Sequence, residues 1–205
     1  MRVRVVQGNV IDADVDALIV NLFQGVTQPG GATGAVDRHL GGLISRLISA
    51  GEFKGELNET AVLHLAEPSP YRKVVVVGLG KREDFNAERV RQVTAASVKA
   101  AAKGNVKRIG TILHGAGIGG LDVAEAAQAV AEGAVLGSYK YEAYKSERKN
   151  QDSAELVIIE MDAEKAAAAQ AAVERGVILA EATNFARDLA NAPSNELTPS
   201  VLAER

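Results

Sequence analysis

Three histidines, His39, His64 and His114, are the side chains of this sequence best suited to proton transfer or metal binding near neutral pH. They fall on a predicted helix, a strand and a strand end, with no HExxH or comparable metal spacing among them, and they read as structural or surface groups. Asp12, Asp14 and Asp16 alternate in a turn, where aspartate is favoured for local backbone hydrogen bonds, and they do not read as a metal set. Cysteine is absent, which removes thiolate nucleophiles, thiolate zinc sites and disulfides together. Neither a GxSxG nucleophile elbow nor a Walker A lysine motif occurs.

What remains is backbone chemistry. Gly115, Gly117 and Gly120 in HGAGIGG fit GxGxxG between a predicted strand and a predicted helix. Such a loop lets amides approach a phosphate at the positive end of a helix. It comes late in the chain, and no acidic strand end follows about 20 residues on, so a nicotinamide dinucleotide is not the expected ligand. Gly78 to Lys81 (GLGK) reads as a plain strand turn. Tyr139, Tyr141 and Tyr144 interleave with Lys140, Lys145, Arg148 and Lys149, a pattern that single-strand nucleic-acid surfaces use. The cations also suit a helix C-terminus, and an amphipathic helix end is the expected role.

Strands alternate with helices along the chain. Residues 2–6 (RVRVV) alternate charged and apolar, as an edge strand does, and 16–22 (DALIVNL) form a more buried strand. After the loop QGVTQPGGATG, Val36, Leu40, Leu43, Ile44, Leu47 and Ile48 take the spacing of one helical face, with Thr33 as the expected N-cap. A short strand at 61–65 precedes 73–77 (KVVVV), whose β-branched run suits a central strand buried on both faces. Asn86 caps a helix running to about Lys103, 107–113 returns as a strand, and Asp122 opens a helix to about Tyr141. ELVIIE at 155–160 is the last strand, reached through the charged stretch YKSERKNQDS. This order predicts an α/β fold with a mixed, largely parallel sheet flanked by helices.

From 163 to 191 there is no proline and a single glycine, which predicts a helix about 43 Å long. A rod of that length is expected to project beyond the domain that starts it. Pro193 stops it, and Thr198 with Pro199 marks a new helix start close to the last residue, Arg205, as if the chain were cut from a longer one. Hence the expected division: 1–161 a domain, 162–192 a long linker helix, 193–205 the start of a further domain. With 23 basic against 26 acidic residues there is no global attraction for nucleic acid. No stretch approaches the roughly 18 apolar residues of a membrane span, and the opening MRVRVVQGNV lacks a signal peptide's apolar stretch, so a soluble cytoplasmic protein is expected.

Two resemblances sharpen these expectations. GNVIDADVDALIVN (8–21), GATGAVDRHLGG (31–42) and HGAGIGG (114–120) resemble the opening loop and strand, the glycine-rich helix start and the second phosphate loop of macro domains, the α/β modules that bind ADP-ribose. That likeness implies a three-layer macro-like fold and, if the ligand carries over, a site at Asn9, Asn21, Gly31, Gly34, Gly115 and Gly117. Asn9 stands where that family has an aspartate, and NLFQGVTQPGG departs from its asparagine-rich, glycine-rich stretch.

ARDLANAPSNELTPSVLAE (186–204), with VVVVGLGK (74–81) and LGSYKYEAYKS (136–146), resembles the leucine (cytosol) aminopeptidase family over the whole chain. In that family a macro-like N-terminal domain is joined by a long helix to a C-terminal catalytic domain. The resemblance implies a parent that forms homohexamers and removes N-terminal residues from peptides with two divalent metals, manganese or zinc. None of the family's metal ligands or catalytic residues maps onto this chain, so no catalytic residue, metal or cofactor is assigned within it. Its expected role is noncatalytic, in assembly and active-site access, with its own C-terminal domain as partner, peptide substrate bound only by the parent, and no membrane contact. Some bacterial relatives bind DNA, and the basic cluster near Lys145 is the one feature here that fits it. The alternative is a stand-alone macro-like module binding ADP-ribose or a related nucleotide.

Overall fold

The computed structural model describes residues 1–66, 69–116, 119–145 and 155–205. Six strands form one sheet: β1 (Val3–Gln7), β2 (Ala17–Leu22), β3 (Thr60–His64), β4 (Lys73–Gly78), β5 (Arg108–Thr111) and β6 (Glu155–Glu160), in the order β1-β6-β5-β2-β4-β3. All neighbours pair parallel except β3, which runs antiparallel to β4. The patterning explains the places. Every residue of β4 is buried, and Leu18, Ile19 and Val20 of β2 have no exposed surface, as interior parallel strands require. β1, which carries Arg4 and Gln7, and β3, whose Thr60, Val62 and His64 are exposed, are the two edges.

Helices α1 (Gly31–His39) and α2 (Leu43–Ser49) lie on one face, where Val36 and Ile44 join Leu18, Val20, Val74 and Val76 with Phe53 and Tyr71. Helices α3 (Ala87–Ala101), α4 (Val123–Gly137) and α5 (Ala163–Asn191) cover the other, where Ile19, Val75, Val77, Ile109 and Ile158 meet Val90, Val93, Val130 and Val173. Each such side chain, fully buried, contributes about 1.5–3 kcal/mol. A last helix, α6 (Pro199–Glu204), buries nothing.

Three of the four expected caps are in place. Asn86 accepts from the Arg89 amide at 3.1 Å, Asp122 from Ala124 at 2.9 Å, and Thr198 from Val201 at 3.3 Å, with Pro199 in the first turn. Asp162 caps α5 through the Glu164 and Lys165 amides. α4 ends four residues before Tyr141, at Gly137.

Three local expectations need correction. The single helix read through 36–48 is two, because Gly41 and Gly42 sit in the left-handed region (φ 63° and 80°) and break it. The apolar period hid the break, since both halves face the same layer. The buried Asp37 carboxylate then caps α2 from the previous helix, accepting from the Ile44 and Ser45 amides at 2.8 and 3.0 Å. Thr33 is not an N-cap: α1 starts at Gly31, and the buried Thr33 hydroxyl donates to the Asn21 carbonyl at 2.8 Å. Asp16 is not a local turn group either. Its carboxylate accepts from the Lys107 and Arg108 amides at 2.7 and 2.9 Å and from the Arg72 guanidinium at 2.7 Å. It therefore ties the start of β2 to the start of β5.

α5 combines two environments. Ala169, Ala172, Val173, Gly176 and Ala180 are buried, and Gln170 accepts from the Val5 amide of β1 at 3.1 Å, so the first half is part of the domain's core. Beyond Ala180 no helix residue is buried. There Asn184 and Arg187 donate to the Val135 and Leu136 carbonyls at 3.4 and 3.3 Å, closing the C-terminal end of α4.

Candidate functional site

In parallel α/β sheets, ligands bind in the crevice outside the carboxyl ends of the strands. Here Asn21 stands at the end of β2 and His114 follows β5. The Asn21 amide nitrogen donates to His114 Nδ1 at 2.8 Å. A primary amide nitrogen can only donate, so Nδ1 is the acceptor and the ring proton sits on Nε2, 3.4 Å from the Thr111 hydroxyl. Thr111 in turn donates to the Ile112 carbonyl at 3.3 Å. Burial, with no exposed surface left, pushes the His114 pKa down to about 4, and the ring is neutral at pH 7. Both ring nitrogens are engaged, so His114 is a structural link between strand ends, in keeping with its sequence reading.

The glycine loop starts at the next residue. Gly115 has φ 82°, which only glycine adopts freely. A Cβ there would collide with the Phe85 ring, and one on Gly119 would come 2.6 Å from Gly115 Cα and 2.9 Å from Phe85 Cε1. Phe85 thus lies over the loop. It is held edge-on by Phe23, with centroids 5.0 Å apart and planes at 80°, and the Arg82 guanidinium sits 5.3 Å from the Phe23 centroid. Sequence reasoning missed this aromatic pair. The signal available was a phenylalanine inside an otherwise polar loop, KREDFN.

The other candidate residues separate. Gly34 is small because a Cβ would lie 2.5 Å from the Pro29 carbonyl oxygen, and Gly31 has φ 53° with open space around it. Thr33 between them bonds to Asn21, so this helix start and Asn21 belong to one neighbourhood. Asn9 uses its side chain on the Ile11 amide at 3.1 Å, capping a short 3₁₀ turn (Val10–Asp12) that packs on α1. Gly117, Arg148 and Lys149 lie outside the described residues.

The tyrosine cluster is an internal brace. Tyr139 donates to Asp188 at 2.8 Å and accepts from Asn191 at 3.2 Å, Arg187 lies 5.5 Å from its ring centroid, and Tyr141 contacts Tyr144 at 6.0 Å. Among the described residues no three His, Cys, Asp or Glu side chains are placed to hold a metal, so these residues do not fit a two-metal centre. No helix among them is long and apolar enough to cross a membrane.

A mixed six-stranded sheet between helices, with a glycine loop leaving β5, defines a macro-like α/β domain. A Trypanosoma brucei macrodomain, solved in complex with ADP, shares this fold with a TM-score of 0.63 at 17% identity, over 84% of this chain and 69% of its own. Residues 19–148 match the cytosol aminopeptidase family, N-terminal domain, and the chain belongs to that family. A probable cytosol aminopeptidase of Alkaliphilus metalliredigens is 35% identical over 208 aligned positions, covering all of this chain and 41% of the relative. A tomato leucine aminopeptidase variant superposes with a TM-score of 0.76 at 25% identity, over all of this chain and 41% of its own. The chain thus spans about two fifths of the length of these relatives.

Proposed function

We propose that this chain is the noncatalytic N-terminal part of a two-metal leucyl aminopeptidase, serving assembly and access to the active site, and that the parent removes N-terminal residues from peptides in the cytoplasm. The observation that carries this reading is the alignment of the entire chain with 41% of a probable cytosol aminopeptidase. The long α5, apolar and exposed at Ile178, Leu179 and Phe185, supports it as an element shaped for contact beyond its own domain. In this reading the two metals, manganese or zinc, are held by residues other than those described. The test is hydrolysis of leucyl amides by the full-length parent loaded with manganese or zinc, alongside the 205-residue chain. Activity in the first and none in the second is expected, and an inactive, metal-loaded parent would sink the reading.

The nucleotide-binding alternative rests on the macrodomain fold and on the meeting of Asn21 with the start of the glycine loop at His114 and Gly115. Phe85 over Gly115 and Gly119 argues against an open phosphate cradle. Titration calorimetry with ADP-ribose on the native chain and on Phe85→Ala decides it. Heat from either supports the alternative, tighter binding by Phe85→Ala assigns the ring as the obstacle, and no heat from both removes it.

A further inference from the structure

The two edges of the sheet are finished differently. On β1 the outward Val5 amide donates to the Gln170 side chain of α5 at 3.1 Å, and the Gln7 side-chain nitrogen donates to the Met161 carbonyl at 3.5 Å. α5 thus guards that edge against further pairing. On β3 the Leu65 amide donates to the Arg72 carbonyl at 2.9 Å, and the Glu59 carbonyl accepts from the Gly78 amide at 2.8 Å. Bonded residues alternate along an antiparallel ladder, so Ala61 and Leu63 also face β4, while Thr60, Val62 and His64 turn their N–H and C=O groups outward. Among the described residues nothing bonds to these three outward pairs. The strand, TAVLH, carries no proline, lysine or carboxylate to discourage a neighbour.

We propose that this open edge binds an extended, uncharged peptide segment, which adds to the sheet as a seventh strand. The outward groups recur every second residue, about 6.8 Å apart, a spacing that the backbone of another strand meets. The flanking surface sets the side chains of the peptide. Ala61, Leu63 and Leu65 are only partly buried on the α1–α2 side of the core, and Val62 on the opposite face is 38% exposed. β-Branched, uncharged side chains on both faces of the added strand would cover them as cross-strand neighbours. Five residues of strand edge are too short to hold a second folded domain by themselves, since a specific interface between folded proteins buries roughly 1,200–2,000 Å². A peptide gains the ladder without having to fit a domain beside it. The inference holds whether or not the parent is an aminopeptidase.

The probe is an acetylated, amidated peptide, Lys-Val-Thr-Val-Thr-Val-Lys, N-methylated at alternate residues so that one edge alone can donate and the peptide cannot build sheets of its own. At millimolar peptide, amide hydrogen exchange followed by nuclear magnetic resonance is expected to slow at least about tenfold at Thr60, Val62 and His64 and to stay unchanged at Val5 on the guarded edge. The same peptide methylated at every residue is expected to have no effect. Val62→Lys places a charge on the edge and should weaken binding at least about tenfold, with circular dichroism confirming that the variant is folded. Absence of protection at the three amides overturns the proposal, as does equal protection by the fully methylated peptide. Protection in the free chain that grows with protein concentration assigns the edge to a second copy, and protection already present in the peptide-free full-length parent assigns it to the rest of the polypeptide. Either result equally overturns the proposal. Leucyl amide hydrolysis enters none of these readouts, so failure here and failure of the aminopeptidase reading are distinguishable.

Discussion

His114 sets an acid limit on this domain. In the unfolded chain its ring takes up a proton near the ordinary value of 6.5, whereas the native ring stays neutral down to about 4. Between those values the unfolded state holds more protons, so stability is complete above about pH 6.5 and falls as pH falls toward 4, by about 3 kcal/mol in total. His114→Gln removes the titrating group, and its thermal midpoint should decline less than the native one between about pH 7 and about pH 4.5. Equal declines would place the acid sensitivity elsewhere. Asp16 behaves with the same sign lower on the scale. Burial would raise its pKa, but the bonds from the Arg108 and Lys107 amides and from Arg72 outweigh burial and hold it below the usual carboxylate value. Its contribution is present above that value and lost as pH falls through the lowered one. Asp16→Ala leaves two amides at the start of β5 without their acceptor and should cost about 1–3 kcal/mol in urea unfolding near neutral pH.

Between elements, glycines decide how closely helices stack. A Cβ on Gly133 of α4 would lie 2.5 Å from the Arg91 carbonyl oxygen, one on Gly137 would lie 2.6 Å from Ala95 Cβ, and one on Gly176 of α5 would lie 2.7 Å from the Gln128 carbonyl oxygen. Three helices meet there backbone to backbone. At an open helical position Gly→Ala would gain up to about 1 kcal/mol. Here Gly133→Ala should instead destabilise by about 2 kcal/mol through overpacking, read from the denaturation midpoint. A gain would mean that α3 and α4 can slide apart. The Arg91–Glu132 ion pair at 2.5 Å, with Gln128 on the second carboxylate oxygen at 2.7 Å, fixes the same crossing. The helices themselves were legible in the sequence, down to the Asn86, Asp122 and Thr198 caps. The break at Gly41 and Gly42 was not, because α1 and α2 share one apolar period and a left-handed glycine pair leaves that period intact.

At the scale of the whole molecule, packing continues from α4 and the sheet into α5. The first half of α5 supplies Ala169, Ala172 and Val173 to the larger core, while its second half is held by polar contacts from Asn184, Arg187 and Asp188. A chain ending at Met161 should lose cooperative unfolding, since the lost burial is comparable with the roughly 5–15 kcal/mol that stabilises a whole domain. One ending at Ala182 should keep a cooperative melt by circular dichroism. If the shorter chain melts as sharply as the full one, α5 is an accessory to the fold. The sequence by itself determined the alternation of strands and helices, the unbroken 29-residue helix and the family, because these rest on short-range periodicity, capping and local motifs. Only the tertiary structure decided that Asn21 meets His114 across 93 residues, that Asp16 clamps β5, and that Phe85 rather than open space lies over Gly115. Each of these is a contact between distant segments, and side-chain spacing along one segment carries no record of which other segment the sheet order brings beside it.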